Sequence, residues 1–198
     1  DTSIKGLEAV RTSLHPIRDL EAIQLLEAAI AKRDGQPTPK HVSPPFNHPI
    51  PRTTGLLPGQ HYRITTSQGD IILAIEPDAA PGSCAAFDSL VTAGYYNGKY
   101  FHRVVPDFVA QGGCPRGDGY GGMPWTLRTE IGLEGFTTGA VGLASAGKDT
   151  ENCQFFIMLA DAPHLDGRYT RFAHVVSGME VAWKLRVGDV MKSVTRID

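Results

Sequence analysis

The sequence predicts a mainly β domain, a closed barrel or a sandwich, preceded by a helical hairpin and a linker. Three observations carry this. Short runs of alternating or β-branched residues recur from His61 onward, separated by glycine-rich turns. Within that region only two segments have helical spacing. Before it, residues 35–59 hold Pro37, Pro39, Pro44, Pro45, Pro49, Pro51 and Pro58, half of the 14 prolines in the chain.

Residues 1–34 read as two helices. Ile4, Leu7, Val10 and Leu14 fall on one face of the first, with Asp1, Thr2 or Ser3 available as caps. His15-Pro16 breaks the pattern. The second begins near Asp19, which can cap, and carries Leu20, Ile23, Leu26 and Ile30. Lys32 and Arg33 suit its last turn, and Gly35 stops it. Two short amphipathic helices have no core of their own. They must dock on the main domain, on another chain, or on a further part of the protein. The proline-rich stretch cannot build helix or central strand and reads as an extended linker. The expected organisation is a helical segment at 1–34, a linker at 35–59 and a folded domain at 60–198.

Within that domain, His61–Thr66 and Ile71–Ile75 flank a turn at Ser67-Gln68-Gly69-Asp70 and form a hairpin candidate. Residues 80–93 have helical spacing: Pro81 suits the first turn, Cys84, Phe87 and Leu90 or Val91 share a face, and Gly94 ends it. Further strands are expected at 140–144, 154–159, 172–176 and 190–197. A short helix is expected at 179–185, with Trp183 in the core.

Composition bounds the function. A chain of 198 residues with 41% hydrophobic content can build one domain and an appendage. A net charge of −2 makes no electrostatic case for nucleic acid or an anionic membrane surface. No apolar run approaches the roughly 20 residues of a membrane helix. Cys84, Cys114 and Cys153 are three in number, so at least one is unpaired within a monomer. The seven histidines form no metal-ligand spacing, and no cofactor or metal is expected. The chain starts with Asp1 rather than Met, as a processed chain or a fragment would; whether it is exported, periplasmic or cytoplasmic is left open. Nothing demands an oligomer.

The run from Tyr100 to Gly113 is the most informative. Phe101, Arg103 and Val105 share one strand parity, and His102 and Val104 the other. Pro106-Asp107 is turn chemistry, and Phe108, Val109, Ala110 and Gln111 resume a strand. Arg103 and Gln111 stand out in such apolar strands. An exposed arginine and an edge glutamine are the plain alternative. Residues 112–122 then hold six glycines. Gly117, Gly119 and Gly122 match G-x-G-x-x-G, but Met123-Pro124-Trp125 follows and no helix opens, so a dinucleotide site is rejected. A loop beside a site fits better.

The stretch Phe101-His102-Arg103-Val104-Val105-Pro106-Asp107-Phe108-Val109-Ala110-Gln111-Gly112-Gly113 resembles the signature of the cyclophilins, the peptidyl-prolyl cis-trans isomerases. Ala144-Ser145-Ala146-Gly147 with Cys153-Gln154-Phe155-Phe156-Ile157, and Leu165-Asp166-Gly167-Arg168-Tyr169, resemble two further family segments in the same order. The resemblance covers about residues 61–198. It implies an eight-stranded antiparallel barrel capped by two helices, and an enzyme that turns Xaa-Pro bonds in peptides and unfolded proteins. It also implies roles. Arg103 matches the catalytic arginine, Phe108, Val109, Phe156 and Leu165 the proline pocket, and Gln111 the glutamine that binds substrate and orients the arginine. Ala144 and Ser145 match backbone that holds the peptide ahead of the proline. Three positions depart from the common pattern. Val109 stands in place of methionine, Tyr169 in place of a rim histidine, and His164 in place of a tryptophan that contacts cyclosporin. Weak cyclosporin binding is therefore expected.

Period two puts Val109 with Gln111, and Gln154 with Phe156, on common faces, leaving Phe155 to point into packing. Two other functions remain open from sequence: a proline-peptide binding module whose turnover is incidental, and an enzyme whose own proline-rich linker occupies its groove.

Overall fold

The computed structural model describes residues 2–40 and 56–197. Eight strands form a closed barrel in the order β1-β2-β7-β5-β6-β4-β3-β8. They are β1 (His61–Thr66), β2 (Asp70–Ile75), β3 (Lys99–Val105), β4 (Val109–Gly112), β5 (Ala140–Leu143), β6 (Phe155–Met158), β7 (Arg171–Ser177) and β8 (Val190–Ile197), and every pairing is antiparallel. Among the described residues four α-helices accompany them: α1 (Thr2–Ser13), α2 (Leu20–Arg33), α3 (Pro81–Thr92) and α4 (Met179–Ala182). The expected hairpin, strands and helices are therefore present, α4 being shorter than its pattern suggested. Pro44, Pro45, Pro49 and Pro51 lie outside the described residues.

Alternation along the strands divides the apolar residues into two clusters. Phe101, Ala110, Val141, Leu143, Phe155 and Ile157 face the barrel interior. There they meet Phe87 of α3, whose ring centroid lies 5.2 Å from that of Tyr62 and 5.1 Å from that of Phe172. Leu90 and Val91 both join this core, as do Val181 and Ala182 of α4. Val109, Ala140, Phe156 and Met158 face outward and form a second cluster with Phe136 and Leu165. That outer cluster is the floor of the site.

Four expectations are corrected. Trp183 is 54% exposed rather than core; its indole Nε1 donates to the Leu159 carbonyl at 3.0 Å. Asp19 precedes α2, but its side chain makes no capping bond. It accepts instead from the His15 amide and the Arg18 and Arg116 guanidiniums. Phe101 and Arg103 do not share a face. β3 pairs Phe101 with Gly112 and Arg103 with Gln111, so His102 is an extra residue and the strand bulges there. The bulge reverses parity: Phe101 enters the core while Arg103 is exposed. Of the face proposed for α1, Val10 is exposed.

The helical hairpin docks on the barrel. Arg11 of α1 pairs with Glu27 of α2. Gln24 Nε2 of α2 donates to the Ala146 carbonyl at 3.1 Å, and Arg116 Nη1 donates to Asp19 Oδ1 at 3.2 Å.

Candidate active site

The β3–β4 connection presents the first two site residues. Asp107 takes a left-handed conformation, φ 55°, and the Phe108 amide donates to the Val105 carbonyl at 3.1 Å. A short polar residue tolerates that backbone better than a branched one. The tight turn brings Phe108 back under Arg103, whose guanidinium carbon lies 5.7 Å from the ring centroid. This is within reach of a cation–π contact.

Beyond the turn, Val109 and Phe156 share the outer barrel face with Leu165 and Tyr169 at its edge. Phe156 stacks on Phe136 at 5.6 Å and meets Tyr169 edge-on at 6.0 Å. Gly142 makes this possible. A Cβ there would stand 2.5 Å from Phe156 Cζ and 2.7 Å from Phe136 Cε1, so only glycine lets both rings lie on β5. The result is a cavity of about 540 Å³ with an apolar floor. Ala144 and Ser145 form one wall, and Gly119 and Tyr120 of the glycine-rich loop another.

A chain of side-chain amides sets the polar rim. Gln154 is buried, and its Nε2 donates to the carbonyls of Gly119 at 2.9 Å and Gly121 at 2.8 Å. Carbonyls only accept, so the amide can face them one way only. Gln154 Oε1 is thereby turned to Gln111 Nε2, at 3.0 Å. Gln111 Oε1 is in turn left facing Arg103 Nη1, at 3.5 Å. His102 lines the same cavity, and burial depresses its pKa, favouring the neutral ring.

The structure thus brings Arg103, Phe108, Val109, Gln111, Ala144, Ser145, Phe156, Leu165 and Tyr169 around one cavity. His164 is set apart from it. It stacks on Phe108 at 5.8 Å from outside and lines a neighbouring groove. Three contributors were not picked out from sequence. Gln154 was placed on the face of Phe156 but given no role; a polar residue leading into a fully apolar strand was the available signal. Asp118 comes from the glycine-rich loop and Glu21 from α2, and both line the cavity. Burial and the nearby Asp118 carboxylate raise the Glu21 pKa to about 7. No pattern in the sequence joins α2 to the barrel.

Cys84, Cys114 and Cys153 are free and buried. Burial raises the thiol pKa of Cys84 to about 12 and of Cys153 to about 11, so neither is a ready nucleophile. Among the described residues, no cluster of His, Cys, Asp or Glu is placed to hold a metal ion. No helix among them is long and apolar enough to cross a membrane.

Comparison with known proteins agrees with this geometry. Residues 61–197 match the family model of the cyclophilin type peptidyl-prolyl cis-trans isomerase/CLD. Peptidyl-prolyl cis-trans isomerase B of Bacillus subtilis is 45% identical over 135 residues, covering 67% of this chain and 94% of the relative. A peptidyl-prolyl cis-trans isomerase of Helicobacter pylori is 41% identical over 135 residues, covering 66% of this chain and 83% of the relative. The crystal structure of a Cryptosporidium parvum cyclophilin type isomerase superposes with a TM-score of 0.66 at 27% identity, covering 70% of this chain and 98% of that one. The same protein has also been solved in the presence of the dipeptide Ala-Pro. The closed barrel, the outer-face cavity and these matches together make the chain a member of the cyclophilin-type peptidyl-prolyl cis-trans isomerase family.

Proposed function

We propose that this isomerase turns Xaa-Pro bonds by seating the proline ring on the outer-face apolar floor and stabilising the twisted amide with Arg103. Residues 60–198 form the catalytic unit, with the hairpin at 1–34 and the linker at 35–59 appended to it. Amide resonance sets a rotation barrier of about 18–20 kcal/mol. Uncatalysed exchange at proline takes about tens to hundreds of seconds. Rotation needs no nucleophile and no proton transfer. It needs a site that favours the twisted bond over either planar form.

Each part of the cavity supplies one piece of that preference. Val109, Phe156 and Leu165 offer a floor the size and polarity of a pyrrolidine ring, with Phe108 and Tyr169 as flanking aromatics. Ala144 and Ser145 hold the backbone ahead of the proline. As the bond twists, the nitrogen lone pair leaves conjugation and becomes an acceptor. Arg103 is charged at every working pH and donates to it. Placing one fixed donor where charge develops contributes about 3–4 kcal/mol. The observation that carries the reading is the pose of Arg103, packed on Phe108 and faced by Gln111 at the rim of the apolar floor.

The test is isomerisation of a short Ala-Pro peptide by the whole chain and by Arg103→Ala. Rapid turnover lost in a folded variant supports the mechanism. Turnover that survives the substitution refutes the role of Arg103. A folded but inactive whole chain favours a peptide-binding role instead.

A further inference from the structure

The docking site of the hairpin is one end of the substrate groove. Three contacts place it there. Gln24 Nε2 donates to the carbonyl of Ala146, next to the Ala144–Ser145 wall. Asp19, 3% exposed, accepts from Arg116 at 3.2 Å and so ties the start of α2 to the glycine-rich loop on the opposite side of the groove. A Cβ on Gly122 would stand 3.2 Å from the Asn152 side chain and 3.3 Å from the Arg18 carbonyl, tighter than an ordinary contact, so the start of α2 packs closely on the loop there. The space left between helix and barrel is about 30 Å³, bounded by Leu20 and Glu21 on one side and by Ala146, Thr150 and Asn152 on the other. That is enough for about one water molecule and too little for a peptide side chain. The adjoining cavity over Phe156 holds about 540 Å³. Glu21 lines both spaces, so α2 marks the border between the open and the filled part of one groove.

We propose that α2 is a substrate-selecting wall, which admits a proline with the residue before it and excludes peptide that continues past Ala146 until the hairpin lifts. This rests on the reading that Ala144 and Ser145 hold the peptide ahead of the proline. An extended chain advances about 3.3 Å per residue, so one or two further residues would run into the helix. The groove therefore discriminates by upstream length. Prolines in tight turns or near a chain start enter directly, and prolines inside long extended segments enter only with the hairpin displaced.

The experiment uses the full chain and two peptides with the same Ala-Pro-Phe centre. One is acetylated on that alanine, and the other carries four more residues upstream. Gln24→Glu sets a carboxylate against the Ala146 carbonyl and loosens α2 without altering the barrel. Asp19→Asn, which weakens the tie to Arg116, is a second and independent variant. Wild-type kcat/KM should fall about ten-fold on extension, because the longer peptide enters only when the hairpin lifts. Both variants should recover most of that loss on the long peptide, with the short peptide within about two-fold. An equal response to extension in wild type and variants overturns the proposal, as does an equal gain on both peptides. If no form turns over either peptide, the isomerase reading has failed on its own terms. The wall is then judged by fluorescence anisotropy of the labelled peptides. A gain in long-peptide affinity confined to the variants sustains it, and unchanged affinity ratios overturn it.

Discussion

Arg103 is exposed, yet it has a fixed pose, because Phe108 supports one face and Gln111 meets its edge. On the proposed mechanism, replacing it costs transition-state binding and leaves packing intact. Arg103→Ala should lower kcat/KM by about 100- to 1000-fold with an unchanged melting temperature. Arg103→Lys should recover little, since a point charge cannot both stack on Phe108 and reach Gln111. Gln154 acts through another residue. Gln154→Leu keeps the volume but releases Gln111 to rotate. It should reduce kcat about ten-fold with KM within about two-fold, whereas a purely structural role would lower the melting temperature without that split. Arg103 and Gln111 were legible as polar residues in apolar strands. The role of Gln154 was not, because its partners are carbonyls of a loop folded over it. His164 is exposed and lies outside the cavity against Phe108, so cyclosporin should bind more weakly than nanomolar, as a calorimetric titration would read.

Among the elements, α3 shows best how a local signal is completed from elsewhere. Pro81 and the apolar face were visible in the sequence. The cap was not, because it comes from Glu130, 48 residues downstream of Gly82. Its carboxylate accepts from the amides of Gly82 and Ser83 at 2.9 and 2.8 Å, and from the Ser83 hydroxyl at 2.6 Å. A charged acceptor at a helix start satisfies orphan donors and opposes the dipole. Glu130→Ala should cost about 2 kcal/mol, a fall in melting temperature of roughly 4–8 °C by calorimetry, with kcat/KM at ambient temperature preserved. The bulge at His102 was hidden for the opposite reason. Strict alternation is the only pattern a strand displays in sequence, and one extra residue inverts it. Asp19 has the composition of a cap, but the nearby Arg18 and Arg116 guanidiniums outcompete the helix amides for its carboxylate.

At the scale of the whole molecule, the hairpin and barrel are coupled through Glu21. Its pKa is about 7 against the barrel, above the 4.5 of a free carboxyl, through burial first and then Asp118. An acid with a raised pKa favours the docked state in its protonated form. That contribution is fully present below about 4.5 and is lost as pH rises through 7. The groups around it do not cancel the effect. Asp118 is held ionised by the Tyr120 amide and Arg116 despite its own partial burial, and burial lowers the pKa of His102 and favours its neutral ring. Amide exchange in α2, corrected for intrinsic rate, should therefore be less protected at pH 8 than at pH 6, and Glu21→Gln should abolish the difference. Strand count and helix positions could be read from spacing, and the barrel from the family resemblance. The docking of α2 could not, because it depends on Gln24 and Asp19 meeting backbone and side chains over 90 residues away.

The seam of the barrel joins its first and last strands: His61 faces Ile197 and Ile64 faces Val194 across β1 and β8. Gln60 Nε2 also donates to the Ile197 carbonyl at 2.7 Å. A ribosome delivers these partners at opposite ends of the domain, so β1 and β2 emerge as a ribbon with an unpaired flank and keep it until β8 has emerged. Closure is consequently the last pairing the domain makes, with a large loop to bring together. A catalyst of folding in this architecture cannot begin to assist other chains, or its own, until its last strand has arrived.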